Sequence, residues 1–273
     1  MRQLPLSAVL CLAACGGGPP GHDGDPDGAV DAPIDGAGLD APAAVTCATP
    51  GLIFCEDFEA VPLGPAASAR WTTETAAGSL TVDAVHARGA RALHVHTDGN
   101  GRARVQVANL APPDNHLFGR AYAWVAAFPS APDYAHFTMV EAAGTGAGVL
   151  RPLGGQYAPG DPAGAFWGVG SDGGPTGDWT NWRRTVPAEA GRWLCLAFEL
   201  DGRSDTVTVA IDGVPRPELT VTRTDHGGNP VDLVFPTLER VWFGWWLYQP
   251  GPTPAAFDLW LDDLVLAPGP IGC

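Results

Sequence analysis

The chain contains no lysine. All 15 of its basic residues are arginine, in 273 residues of which only 16% are charged. We read the missing lysine as coding bias, although arginine is the better fork for a carboxylate. Against 30 acidic residues the net charge is −15, which argues against nucleic acid and anionic membrane surfaces as partners. There is no helical heptad pattern and no internal repeat. No window beyond the N-terminus approaches the roughly 18 uninterrupted apolar residues that a membrane helix needs.

What is present is turn-forming. Gly (36) and Pro (27) are abundant, as expected of a turn-rich globular chain rather than a helical one. At the N-terminus, Arg2 precedes an apolar run, Leu4 to Leu12, too short to span a bilayer. It ends in Leu12-Ala13-Ala14-Cys15, which resembles a bacterial lipobox. Residues 1–14 are thus expected to be a lipoprotein signal peptide and Cys15 the lipidated first mature residue. Gly16, not Asp, follows it, which points to the outer membrane of a bacterial cell envelope. The next stretch carries Asp23, Asp25, Asp27, Asp31, Asp35 and Asp40 with Gly and Pro and no Arg. It cannot bury a core and repels itself, so residues 15–46 are expected to be a disordered tether. The membrane is then a partner only through the lipid. Asp23, Asp25 and Asp27 lack the Gly and terminal Glu of a calcium loop.

Residues 47–273 form the expected domain. Strand-like runs at 52–59, 79–85, 91–97, 102–109, 118–127, 135–142, 166–170, 193–200, 205–212, 217–223, 240–248 and 257–266 alternate apolar with small or polar residues. Asp98-Gly-Asn-Gly101 and Asp212-Gly213 read as hairpin turns. The pattern predicts an all-β, two-sheet antiparallel jelly-roll sandwich. Four cysteines remain in an oxidising compartment, allowing three pairings. Cys47–Cys55, closing a short loop, and Cys195–Cys273, stapling the chain end to a central strand, are favoured. Cys47–Cys273 with Cys55–Cys195 is the rival.

An ordered set of motifs carries a resemblance. They are Glu56-Asp-Phe-Glu59, His86-Ala-Arg-Gly-Ala-Arg-Ala-Leu93, Gly119-Arg-Ala-Tyr-Ala-Trp124, His136-Phe-Thr and Leu150-Arg-Pro-Leu-Gly-Gly-Gln156. Trp193-Leu-Cys-Leu, the Asp212-Gly turn, Phe243-Gly-Trp245, Asp262-Asp263 and Ile271-Gly-Cys273 complete it. Residues 52–273 resemble the concanavalin A-like jelly rolls of the polysaccharide-lyase type, the family of fungal cellulase-coregulated proteins and glucuronan lyases. The resemblance implies a pocket motif His-x-Arg-x-x-x-Gln on a concave-face strand. Gln156 matches it. Arg151 stands one residue further from Gln156 than in the family, and the family His has no counterpart. One residue of slip turns a strand side chain to the other face; a bulge at Pro152 would restore Arg151 to the cleft.

A uronate lyase must neutralise a carboxylate, remove the C5 proton and protonate the leaving oxygen. Arg151 and Gln156 suit the first task; His136, with Tyr157 or Tyr248, suits the others. Arg102, Arg104 and Gln106 alternate on one strand face, as do His94 and His96 across the expected hairpin; together they would make a cationic floor for an acidic sugar. Trp179 and Trp182, in a turn-rich loop, offer flat faces to pyranose rings. Asp57 and Glu59 share a face of the first strand, and Asp263 one of the last strand. These carboxylates would suit Ca²⁺, whose alternative is a salt bridge to Arg; the resemblance implies a structural Ca²⁺ on Glu59 and one of Asp262 and Asp263.

Three functions are compatible. The first is a surface lipoprotein that binds, and cleaves by β-elimination, an acidic, uronate-containing polysaccharide. The second is a non-catalytic carbohydrate-binding lipoprotein on the same scaffold. A laminarinase-type hydrolase ranks last, because no Glu-x-Asp-x-x-Glu run is present.

Overall fold

Alternation of apolar and polar residues produces the strands. This computed structural model describes residues 45–273 apart from 131–133, 147, 162–163, 182 and 249–252. The expected signal, Cys15, the tether up to residue 44 and Trp182 lie outside the described residues. In chain order the strands are β1 Phe54–Glu56, β2 Gly64–Pro65, β3 Thr72–Asp83, β4 Ala92–Ala108, β5 His116–Val125, β6 Ala135–Thr145 and β7 Val149–Tyr157. They continue as β8 Ala165–Asp172, β9 Trp179–Thr180, β10 Trp193–Asp201, β11 Thr206–Ile211, β12 Val214–Pro215, β13 Thr237–Leu247 and β14 Ala256–Ala267.

Hydrogen bonding runs β12-β11-β10-β5-β14-β4-β13-β6-β7-β8-β9, with β3 along β4 and β1 along β14. Two layers result. β4 belongs to both: Leu93–Asp98 pairs with β14 and Arg102–Ala108 with β13. The strand therefore turns a corner at Asp98–Gly101, where Gly99 takes φ 51°. The expected hairpin is corrected to a continuous strand. Turn residues supply the bend, but the halves on either side share β3 on one edge and bond to β14 and β13 on the other, instead of to each other. β3 bends with it, at a bulge between Ala76 and Gly78. β7 of one layer faces β10 and β11 of the other. The architecture is the all-β antiparallel jelly-roll sandwich.

The core lies between the layers. Trp245 is 1% exposed, with its ring centroid 5.2 Å from that of Phe137 and 5.3 Å from that of Phe257. Its neighbours Trp242 and Trp246 face outward. The expected strand at 217–223 is instead a 3-10 turn at Pro217–Leu219 and a single bridge, Val207 to Val221. Pro217, the first residue of the expected strand, withholds an amide donor and opens the turn.

Both favoured disulfides are present, Cys47–Cys55 and Cys195–Cys273. The second fixes the chain end to the outer face of β10. Arg120, 3% exposed, donates to the carbonyls of both Val45 and Gly272, and the Tyr122 hydroxyl donates to the Cys273 carbonyl at 2.8 Å.

Candidate functional site

The site face is the outer side of the layer formed by β13, β6, β7 and β8. Its geometry depends on one extra residue in β7. Gly154 pairs with Gly168 and Arg151 with Gly170, so three residues of β7 oppose two of β8. On the other side Leu153 pairs with Val140 and Leu150 with Ala142, again three against two. This is the bulge expected at Pro152. Across it the buried side passes to Leu150 and Leu153, both in the core, and Arg151 comes out on the side of Gln156.

His136 of β6 pairs directly with Gln156. The Tyr134 hydroxyl donates to Gln156 Oε1 at 2.7 Å and lies 2.8 Å from His136 Nε2. A carbonyl oxygen only accepts, and the Gln156 amide nitrogen donates to the Asn181 carbonyl at 3.3 Å. The Tyr134 proton is therefore committed to Gln156, and His136 Nε2–H donates to Tyr134. That tautomer leaves Nδ1 as the basic nitrogen. Burial, and after it the Arg151 guanidinium, push the His136 pKa down to about 4, against the opposing pull of Asp178. Burial pushes the Tyr134 hydroxyl up to about 12. The Tyr248 ring lies 5.8 Å from the His136 ring and 5.6 Å from the Arg151 guanidinium carbon.

His136, Arg151, Gln156 and Tyr248 thus come together as expected. Tyr157 does not: it pairs with Ala135 and points into the core, so Tyr134 replaces it beside the histidine. Sequence reasoning passed over Tyr134, although Tyr134-Ala-His136 has the i, i+2 spacing that puts two side chains on one strand face. Arg151 is also more committed than expected. One of its terminal nitrogens donates to the carbonyls of Ser171 and Trp179 and to Asp178 Oδ1. Its Nε has no hydrogen-bond partner among the described residues.

The arginines of β4 stand on the same face. Arg104 is 7% exposed and already paired, through Nε to Glu74 at 2.8 Å and through Nη1 to Glu141 at 3.0 Å. Its guanidinium lies between the indoles of Trp242 and Trp246, 4.7 and 5.2 Å from their centroids. Gly244 makes the room: a Cβ there would meet Arg104 Cβ at 2.6 Å. Arg104 is therefore corrected from a carboxylate ligand to the bracket of a Trp–Arg–Trp stack. Arg102, bonded to Glu74 and 5.1 Å from the Trp246 ring, is part exposed. Burial raises the pKa of Glu141, against the pull of Arg104 and Arg151.

His94 and His96 are not across from these arginines. They precede the corner and lie on the outer face of the other layer. His94 bonds Asp83 at 3.1 Å and Asp258 at 2.8 Å and stacks on Trp260 at 4.3 Å; it is corrected to a structural residue. Trp179 is 4% exposed with His226 stacked on it at 4.3 Å. That ring face is covered, so Trp179 is corrected from an open sugar platform to a packed one.

The expected calcium ligands serve backbone amides. Asp57 accepts from Glu59 N at 3.3 Å, and Glu59 from Ala90 N and Arg91 N at 2.8 and 3.2 Å. Asp262, 1% exposed, accepts from Arg88 N and Asp263 N. Asp263 takes φ 48° at a bulge and forms an ion pair with Arg88 at 2.9 Å. The bulge exchanges the facing of the two aspartates. Burial first, helped by the charges of Asp263 and Glu59, pushes Asp262 up to about 6. Among the described residues, only His116, Glu199 and Asp201 bring three ligand atoms within 4.8 Å of one another. There Asp201 is already taken by Arg203, at 2.7 and 2.9 Å.

No family model matches the chain, and no curated protein sequence does. Among solved structures, the cellulose-induced protein Cip1 shares the fold, with a TM-score of 0.60 and 18% identity over 81% of this chain and 99% of that one. A Trypanosoma rangeli sialidase in complex with sialic acid matches at TM-score 0.44 and 13% identity, over 82% of this chain and 32% of that one. The botulinum neurotoxin serotype C1 binding domain matches at TM-score 0.43 and 9% identity, over 74% of this chain and 44% of that one.

Proposed function

We propose that the chain is a carbohydrate-binding protein whose site face holds a uronate-containing polysaccharide and cleaves it by β-elimination. The observation that carries this reading is the neutral His136, bonded to Tyr134 and beside Gln156, Arg151 and Tyr248 on one face. Arg151 and Gln156 neutralise the uronate carboxylate, which makes the C5 proton acidic. His136 Nδ1 takes that proton. The C5–H electrons form the C4=C5 double bond as the C4–O bond breaks, and the departing oxygen takes a proton from Tyr248. The lasting product is an unsaturated sugar end.

The test follows absorbance of that unsaturated end with glucuronan, alginate and other uronates. The rate is expected to stay level through pH 6.5, where an ordinary histidine titrates, and to fall only near pH 4, where His136 gains its proton. An inflection at 6.5 would remove His136 as the base. The second reading, non-catalytic binding of the same glycan, is favoured by the anchoring of Arg151 to Ser171, Trp179 and Asp178. Retention on an acidic glycan array without any absorbance rise would select it.

Two further parts belong to this reading. Cys15 carries lipid and anchors the protein to the bacterial outer membrane, as the segment Arg2 to Cys15 supports; recovery in the soluble fraction instead of with outer membranes would oppose this. A structural Ca²⁺ sits at Glu59 and Asp262, supported by a buried carboxyl next to like charge with, among the described residues, no cationic side chain bonded to it. Calcium is expected to raise the melting temperature above that of an EDTA-treated sample, and equal melting temperatures would exclude it.

A further inference from the structure

Asn181, just after β9, is the least satisfied side chain on the site face. It is 1% exposed, yet among the described residues neither its amide nitrogen nor its carbonyl oxygen has a hydrogen-bond partner. Its backbone is held firmly: the amide donates to Val169 O at 2.9 Å, and the carbonyl accepts from Gln156. The side chain lies over Gly168, where a Cβ would come 3.1 Å from Oδ1. Gly168 pairs with Gly154, two residues before Gln156 on the same face. A buried amide left bare on both atoms destabilises the fold. The same face carries two more bare buried atoms, Glu141 Oε2 and the Tyr248 hydroxyl. A buried polar side chain left unpaired on both atoms in this way matches a missing polar ligand.

We propose that Asn181 reads the sugar: its amide nitrogen donates to one hydroxyl and its carbonyl oxygen accepts from the neighbouring hydroxyl of a pyranose held on this face. The inference rests on the function proposed above and deepens it. A carboxylate would satisfy the nitrogen and leave the oxygen facing an anion. Two adjacent hydroxyls, each both donor and acceptor, satisfy both atoms. Tyr134, His136 and Tyr248 are part exposed while Gln156 and Asn181 are each 1% exposed, so a sugar entering on the side of the first three reaches Asn181 only as side chains there move aside. The substrate class narrows to uronates with free vicinal hydroxyls, and O-acetylation at those positions is refused.

The experiment uses the whole protein and titrates a glucuronate tetrasaccharide, with free hydroxyls and O-acetylated, by calorimetry. Asn181→Leu, close in shape, is expected to weaken binding of the free tetrasaccharide at least tenfold. It should leave the melting temperature unchanged or raised, because two unsatisfied polar atoms are removed. Asn181→Asp, which loses the donor, is expected to weaken binding as well. A lowered melting temperature with unchanged affinity would mark Asn181 as structural and overturn the inference. Equal binding of the acetylated sugar would overturn it too, and in both cases the proposed function stands. Failure of the unaltered protein to bind either sugar would instead overturn the function on which the inference rests.

Discussion

Cys195→Ser combined with Cys273→Ser is expected to lower the stability of the domain by about 4.5 kcal/mol, on the loop-entropy estimate. The bridged residues are 78 apart in sequence, so the cross-link removes much freedom from the unfolded chain. The matching double change at Cys47 and Cys55, 8 apart, is expected to lower it by only about 2.5 kcal/mol. The larger loss corresponds to a fall in melting temperature on the order of 10 °C. Arg120 and Tyr122 still hold the Gly272 and Cys273 carbonyls in the first variant, so its native structure should be retained. Denaturant melts of both variants decide the matter. Equal losses would show that chain entropy is not what separates the two bridges.

Arg104→Met should lower stability by about 3–5 kcal/mol, the usual consequence of stranding a buried charge. Glu74 is 34% exposed at its side chain and can return to water, but Glu141 is 4% exposed and cannot. The deficit should depend on pH. Burial already holds the Glu141 pKa above its ordinary value of 4.5, and loss of the guanidinium raises it further. A carboxyl whose folded pKa is raised favours the fold in acid and loses that benefit as pH climbs. The variant should therefore come closest to the unaltered protein near pH 4.5 and below, and fall behind as pH rises. Adding Glu141→Gln should recover most of the loss at neutral pH. A deficit that is flat with pH, or no rescue, would show that the guanidinium matters for its stacking on Trp242 and Trp246 instead.

Both disulfides were legible because one pairing closes a short loop and the other ties the chain end to a strand. The sandwich was legible because its strands alternate. The return of Arg151 to the site face could also be foreseen, since proline disturbs a ladder and an odd spacing to Gln156 needs a bulge. Other features rest on pairings that local sequence does not encode. Asp98-Gly-Asn-Gly101 has the residues of a hairpin and serves as a corner, because which strands join is decided across the sheet. His94 was consequently placed on the wrong layer. Arg104 looked available, since nothing near it in sequence reveals that Glu74 and Glu141 arrive from β3 and β6. Asn181 follows no pattern; it sits over Gly168 through strand pairing, and its bare amide is visible only in three dimensions.

The bulge in β7 also bears on how such a face is gained or lost over generations. Arg151 shares a side with Gln156 because three residues oppose two at both of β7's edges. Removing one residue there, at Pro152, would restore the plain ladder against β8 with the arginine still facing outward, while β6 would keep its own extra residue between Thr138 and Val140. Removing the bulge by re-pairing, with every residue kept, would turn the guanidinium inward beside Leu153 and turn Leu150 out. A length change of one residue in this strand is thus quiet where a change of register is not.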